Sequence, residues 1–322
     1  MSTCPTTTLP SPDTALSTPR EPAAGSGKYL AALFLGAVLI GFGPIFVRQS
    51  EVGPSATAFW RVALALPLLT AWTLASRPKN HRGPETAISG SPVLSGGGSW
   101  GLLALGGAFL AADLALWHWA IKLTSVANAT LEANFAAVFV PLLGWLLFKE
   151  RVNRQYLIAL ALAIGGTILL VGKNAHLSPT TLKGDALGLA TALFYSGYIL
   201  CVKAARDRGI ATPRIMAVSG LVTALGLLPI AWISGEGLLP PTAHGWAVLV
   251  GLAVLSHFAG QSLITFAMAG LPASMTSLGL LVQPATAAIA AWLILGEGLA
   301  PAQMLGGGIL LAGLWLAKRR SG

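Results

Sequence analysis

Polar positions are sparse along this chain and fall in short clusters, and between the clusters run long apolar stretches. Ten such stretches follow one another, at 29–48, 55–75, 100–121, 126–148, 154–172, 184–203, 213–234, 244–268, 273–295 and 301–317. Each approaches the roughly 20 residues with which a helix crosses about 30 Å of hydrocarbon. They are apolar all round, which suits lipid and helix neighbours on every side rather than one wet face. Only helices and closed barrels satisfy the backbone inside a bilayer. These runs are about twice the length of a barrel strand and lack strict alternation. The pattern therefore predicts an all-α polytopic membrane protein with ten transmembrane helices. Residues 1–28 are rich in Ser, Thr and Pro and carry no basic region ahead of a short apolar core. They read as a disordered cytoplasmic tail and not as a secretory signal. An organellar transit peptide is the alternative, against which the scarcity of Arg counts.

Composition narrows the class. Of the 322 residues 54% are hydrophobic and only 10% charged, which excludes a soluble enzyme with a polar surface and a disordered chain alike. The net charge of +9 contains no basic run long enough to follow a nucleic-acid backbone, so no nucleic-acid partner is expected. With the N-terminus placed inside, fifteen Lys and Arg fall on cytoplasmic segments. Arg48, Lys122, Lys173 and Lys183 fall outside, and Arg61 is left within the second span. Such a bias places the protein in the inner (cytoplasmic) membrane with both termini cytoplasmic. Cys4 and Cys201 make neither a disulfide framework nor a thiolate metal site. Gly97 to Gly101 matches GxSxG literally, but it closes a glycine-rich loop before a span, without the strand that a nucleophile elbow needs. There is no Walker loop and no HExxH, so ATP hydrolysis by this chain alone is excluded and no cofactor or metal is expected.

The chain also repeats itself. A shift of 147 positions lays Ala120 on Ala267, Leu131 on Leu278, Trp145 on Trp292, Leu146 on Leu293, Glu150 on Glu297 and Gly166 on Gly313. Each half, 29–172 and 184–318, carries five spans. An odd number turns the second copy over, which gives two inverted five-helix repeats. In many secondary transporters such repeats hold the substrate between them near the bilayer midplane.

Two segments carry a resemblance to a known family. One runs from Trp117 through Asn128 and Leu131 to Phe148-Lys149-Glu150 and Gly165-Gly166. Its partner runs from Ala267 through Gln283-Pro284 to Leu295-Gly296-Glu297. In these the chain resembles the ten-helix EamA branch of the drug/metabolite transporter superfamily, over roughly residues 29–318. The resemblance implies transport of small solutes, commonly export, through a central cavity lined by both halves. One departure stands out. The family often has proline mid-way along the fourth helix, where this chain has Ala137, with Pro141 one turn on. A kink at another depth is the expectation; Pro284 keeps its place in the second half.

Charges in hydrocarbon are costly, about 2.5–3.5 kcal/mol each on insertion scales, so Asp113 and Glu132 draw the eye first. Asp113 shares a helix face with Trp117, and Glu132 shares one with Asn128. The shift pairs them with Gly260 and Gly279, so the scaffold's symmetry does not require either acid. Either one can handle a proton beside a wet cavity; the other reading is an acid neutralised by Arg61, His118 or a helix end. His118 does not share the face of Asp113, whereas His257 and Gln261 stand one turn apart. A proton relay and a plain interhelical hydrogen bond are both open for these histidines. Thr191, Tyr195 and Tyr198 form a stripe that suits an amphipathic solute or a packing seam. Glu150 and Glu297 precede helices and read as helix-end stabilisers.

Together these readings predict a carrier of small organic metabolites, such as amino acids or drug-like solutes, working by alternating access, with coupling to protons left open. Its partners are a small-molecule substrate and the lipid bilayer, with a homodimer left open. Asp113, Trp117, His118, Asn128, Glu132, Tyr195, Tyr198, His257, Gln261 and Gln283 are the expected substrate-binding or coupling residues. A polytopic membrane enzyme acting on lipid or peptide is the alternative, and it requires Ser99 and His257 at one depth.

Overall fold

Helices supply all the regular structure in the computed structural model, which describes residues 26–76, 97–124, 126–148, 154–171, 179–295 and 301–318. No strand occurs among the described residues. Among the described residues eight helices are long and apolar enough to cross a bilayer: Gly27–Gln49, Pro54–Ala75, Ser99–Leu123, Ala129–Leu146, Pro179–Asp207, Thr212–Ile233, Ala243–Ala267 and Ala273–Ile294. Two shorter apolar helices, Arg154–Leu169 and Met304–Leu316, stand at the fifth and tenth places in the order. The sixth helix outruns the stretch 184–203 at both ends, because Thr180, Lys183, Lys203 and Asp207 extend it as exposed or half-exposed turns. The tail to residue 25, Cys4, Glu150 and Glu297 lie outside the described residues.

Four of these helices are interrupted mid-way. The first breaks at Phe42 before Pro44, the second at Leu64–Ala65 before Pro67, and the ninth at Leu280–Leu281 before Pro284. Proline has no N–H to offer the preceding turn, so each break falls within three residues of it. The fourth helix breaks at Asn134–Phe135, almost level with the break in the ninth under the 147-residue shift, although no proline stands nearby. The shifted kink expected from Ala137 and Pro141 is therefore corrected: Pro141 lies within an unbroken helix, Ala136–Phe148. At this break the backbone bonds tighten to the three-residue spacing, Phe135 N–H meeting Glu132 O and Ala137 N–H meeting Asn134 O, each at 3.0 Å, and the Asn134 side-chain amide adds a second donor to the Thr130 carbonyl at 2.6 Å, beside Asn134 N–H at 3.2 Å. An asparagine that satisfies a backbone carbonyl from its side chain offers the chain an alternative to the regular helix ladder.

The eighth helix holds a further irregularity. Leu252–Gln261 is a π-helix of ten residues, set between α-helical segments. Such wide turns are rare and are frequently found at functional sites.

Packing follows a two-fold pattern. The third helix lies most extensively on the sixth, and the first lies correspondingly on the eighth. The fifth and tenth pack on each other, as do the second and seventh. Each half is thus built against the other. The outward pairs repeat as well: Trp145 with Leu146 and Trp292 with Leu293 are all exposed apolar side chains, as lipid-facing positions require.

Candidate functional site

Between the two halves, mid-way along the helices, lies a cavity with about 570 Å³ of space free of protein atoms, part of it continuous with the exterior. Its walls come from the first four helices of the first half and from the sixth, eighth and ninth of the second. The interrupted turns shape it. Asn134 and Ala136 flank the break in the fourth helix, Leu280 and Gln283 flank that in the ninth, and His257 and Gln261 come from the π-helical turn. A break widens the gap between neighbouring helices and turns polar atoms inward without leaving them against lipid.

Two ionisable side chains of opposite sign face this space. Arg61, from the second helix, is 4% exposed, and Asp113, from the third, is 6% exposed. The Arg61 guanidinium donates to Ser256 Oγ at 3.2 Å and lies 5.4 Å from the centre of the Trp117 ring. Its Nε has no partner. Among the described residues no carboxylate approaches Arg61 within 4.0 Å, and Asp113 accepts no hydrogen bond. One basic and one acidic side chain are thus buried at the same cavity without direct contact.

Uncharged polar groups add to the set. His257 Nε2, Gln261 Nε2 and Thr191 Oγ1 are buried without a partner and line the same cavity. Tyr195 lines it too, and Tyr198 stacks behind with ring centres 6.0 Å apart. Burying a polar group unpaired costs roughly 1–3 kcal/mol. Several such groups around one void mark a place made to be filled by a polar ligand or by water.

The structure brings Asp113, Trp117, Tyr195, His257, Gln261 and Gln283 together at this cavity. Others stand elsewhere. His118 is fully buried on another face of the third helix, where Nδ1 meets the Leu114 carbonyl at 2.7 Å. Tyr198 is fully buried, with its hydroxyl on Met216 Sδ at 3.8 Å. Glu132 does not line the cavity; it packs in the hollow left by Gly188 of the sixth helix, beside Asp185, which accepts from Thr124 Oγ1 at 2.7 Å. The side chain of Asn128 lies outside the described residues. Ser99 opens the third helix while His257 lies deep in the eighth, so the two do not share a depth.

Arg61, Asn134 and Ser277 are cavity residues that the sequence reading left out. Arg61 carries the same signal as the two acids, a charge inside an apolar span, and in the sequence it reads as their counter-charge. Ser277 and Asn134 had none, since single polar residues of that kind occur throughout helices in membranes.

At one end of the bundle, hydrogen bonds link the connection between the first and second helices to that between the seventh and eighth. Glu236 Oε2, in the connection between the seventh and eighth helices, accepts from Ser55 N–H at 2.9 Å and Ala56 N–H at 3.1 Å at the start of the second. Glu51 accepts from Thr242 Oγ1 at 2.6 Å, and Trp60 Nε1 donates to the Leu238 carbonyl at 2.5 Å. Each connection supplies one glutamate to the other.

Known proteins place this architecture. A Bacillus subtilis (strain 168) protein, the uncharacterized transporter YwfM, is 28% identical over 67% of this chain and 72% of its own. The threonine/homoserine exporter RhtA of Escherichia coli (strain K12) is 30% identical over 58% of this chain and 62% of its own. A probable terminal-alkyne amino-acid exporter of Streptantibioticus cattleyicolor is 29% identical over 68% of this chain and 73% of its own. One solved structure shares the fold with a TM-score of 0.73 at 17% identity, over 91% of this chain and 97% of that one. The model of the EamA-like transporter family matches residues 27–172 and again 182–318, and the chain belongs to that family.

Proposed function

We propose that this protein exports small organic solutes across the cytoplasmic membrane, amino acids first among the classes to be tried. The two halves, 29–172 and 184–318, act as inverted copies that expose the cavity between them to each side in turn. Both termini are cytoplasmic, as the distribution of Lys and Arg argues. The tie between Glu236 and the second helix then closes the outer face, and substrate enters from the cytoplasm. One observation carries the reading: both halves contribute to a mid-depth cavity that holds buried, unpartnered polar groups. The names of the exporting relatives point to amino acids. Proton coupling falls to Asp113 or Glu132, the two acids set among apolar spans.

A metabolite survey of cells with and without the protein, followed by efflux from proteoliposomes at two pH values, tests this. Saturable, protein-dependent efflux supports it. Flux that rises linearly with concentration indicates a passive pore and overturns it.

A further inference from the structure

We propose that the cavity binds its solute as a zwitterion, with the solute's carboxylate on Arg61 and its ammonium on Asp113. The inference rests on the export reading of the same cavity and adds the chemistry it selects.

Among the residues lining the cavity, Arg61 and Asp113 are the charged pair, one of each sign. Both are more than nine-tenths buried. A pair that served only to neutralise itself gains most by direct contact, since burial raises the cost of each lone charge. Yet no carboxylate stands within 4.0 Å of Arg61. Ser256 Oγ and the Trp117 ring hold the guanidinium in place, and Asp113 is left without any donor. An anionic solute satisfies Arg61 and leaves Asp113 bare; a cationic solute does the reverse. A small molecule carrying an ammonium and a carboxylate on one carbon satisfies both. Arginine suits the carboxylate end because its fork of N–H groups matches two oxygens.

The rest of the cavity describes the remainder of the solute. Leu110, Leu114 and Leu280 supply apolar wall, while Thr191, Asn134 and Ser277 supply hydroxyl and amide groups. A short side chain, apolar or carrying one hydroxyl, fits such a mixed surface. The repeat does not explain the charge. At the position equivalent to Asp113 the second half has Gly260, which packs closely on Gly36 of the first helix. One half is closed at this level by a glycine contact, and the other presents a carboxylate.

Proteoliposomes holding the full chain are loaded in turn with two pools. The first is the proteinogenic L-amino acids with their α-amides and N-acetyl derivatives; the second is a small-metabolite extract of the host cells. Efflux is followed by mass spectrometry. At least one free amino acid leaves saturably, and its amide and N-acetyl forms leave on the order of tenfold more slowly or worse, as expected when a buried charge loses its partner. In Asp113→Asn the discrimination against the N-acetyl form collapses, and in Arg61→Gln that against the amide collapses. The derivative comparison on the unaltered protein stands even where a variant fails to fold. Equal efflux of an amino acid and its derivatives overturns the zwitterion requirement, and so does export confined to non-zwitterionic members of the extract; in both cases export itself survives. Silence of both pools overturns the export reading and the clamp with it.

Discussion

Gly166 of the fifth helix and Gly313 of the tenth do the same thing in opposite directions. A β-carbon on Gly166 would press on the backbone of Leu310 and Gly306, and one on Gly313 would press on the backbone of Ala159 and Ala163. Each glycine lets the partner helix approach to backbone contact, the geometry that small residues permit between helices in membranes. The two positions are related by the 147-residue shift, so the repeat is present as a reciprocal contact. Gly166→Leu and Gly313→Leu are each expected to destabilise the protein by about 1–3 kcal/mol through overpacking. Gly165, whose β-carbon would meet nothing within 4 Å, is the control. Thermal unfolding in detergent reads the difference; a Gly165→Leu effect as large as the others removes the argument.

Asn134 is expected to be a functional rather than a stabilising residue. Replacing it with Leu removes the side-chain bond to Thr130 and restores a regular helix former. The variant should fold within about 1 kcal/mol of the parent and lose most of its export. Loss of folded yield in proportion to export contradicts this.

How much of this was legible in the chain divides along a physical line. Hydropathy reports which segments leave water, and it reported all ten. It does not report rotation. A helix apolar all round carries no amphipathic stripe to say which side faces a cavity, so Asp113 and Glu132 looked equivalent. The structure separates them, one on the void and one in the hollow at Gly188. The hollow has a counterpart with the parts exchanged: Gly279 of the ninth helix receives Leu33 of the first. Proline marked three of the four breaks. The fourth rests on an asparagine, and the π-turn of the eighth helix on no residue type that a motif would register.

Glu132 serves coupling and not solute binding if Asp113 holds the ammonium group. Glu132→Gln keeps the shape of the side chain in its hollow, so folded yield should hold. Efflux stimulated by a pH gradient should fall severalfold, while exchange of labelled for unlabelled solute without a gradient persists. Equal loss of yield and of both fluxes assigns Glu132 to packing alone.

The closed end should depend on Glu236. Its carboxylate receives two backbone N–H groups at the start of the second helix, and charge-assisted bonds of this kind contribute about 1.5–3 kcal/mol. Glu236→Ala should lower the unfolding temperature in detergent and quicken labelling of a cysteine at Ser55 by an impermeant thiol reagent. Unchanged labelling would show that the tie does not govern access at that end.

The most direct test of the account is chemical closure of the cavity after folding. In a protein with Cys4 and Cys201 replaced by Ser, Thr191→Cys places one thiol on the cavity wall. Saturable efflux from proteoliposomes is measured before and after reaction with a methanethiosulfonate reagent, with complete modification verified by mass. The account expects modification to abolish efflux and excess transported solute to protect against it. Efflux that continues undiminished through fully modified protein contradicts the claim that solute passes between the two halves.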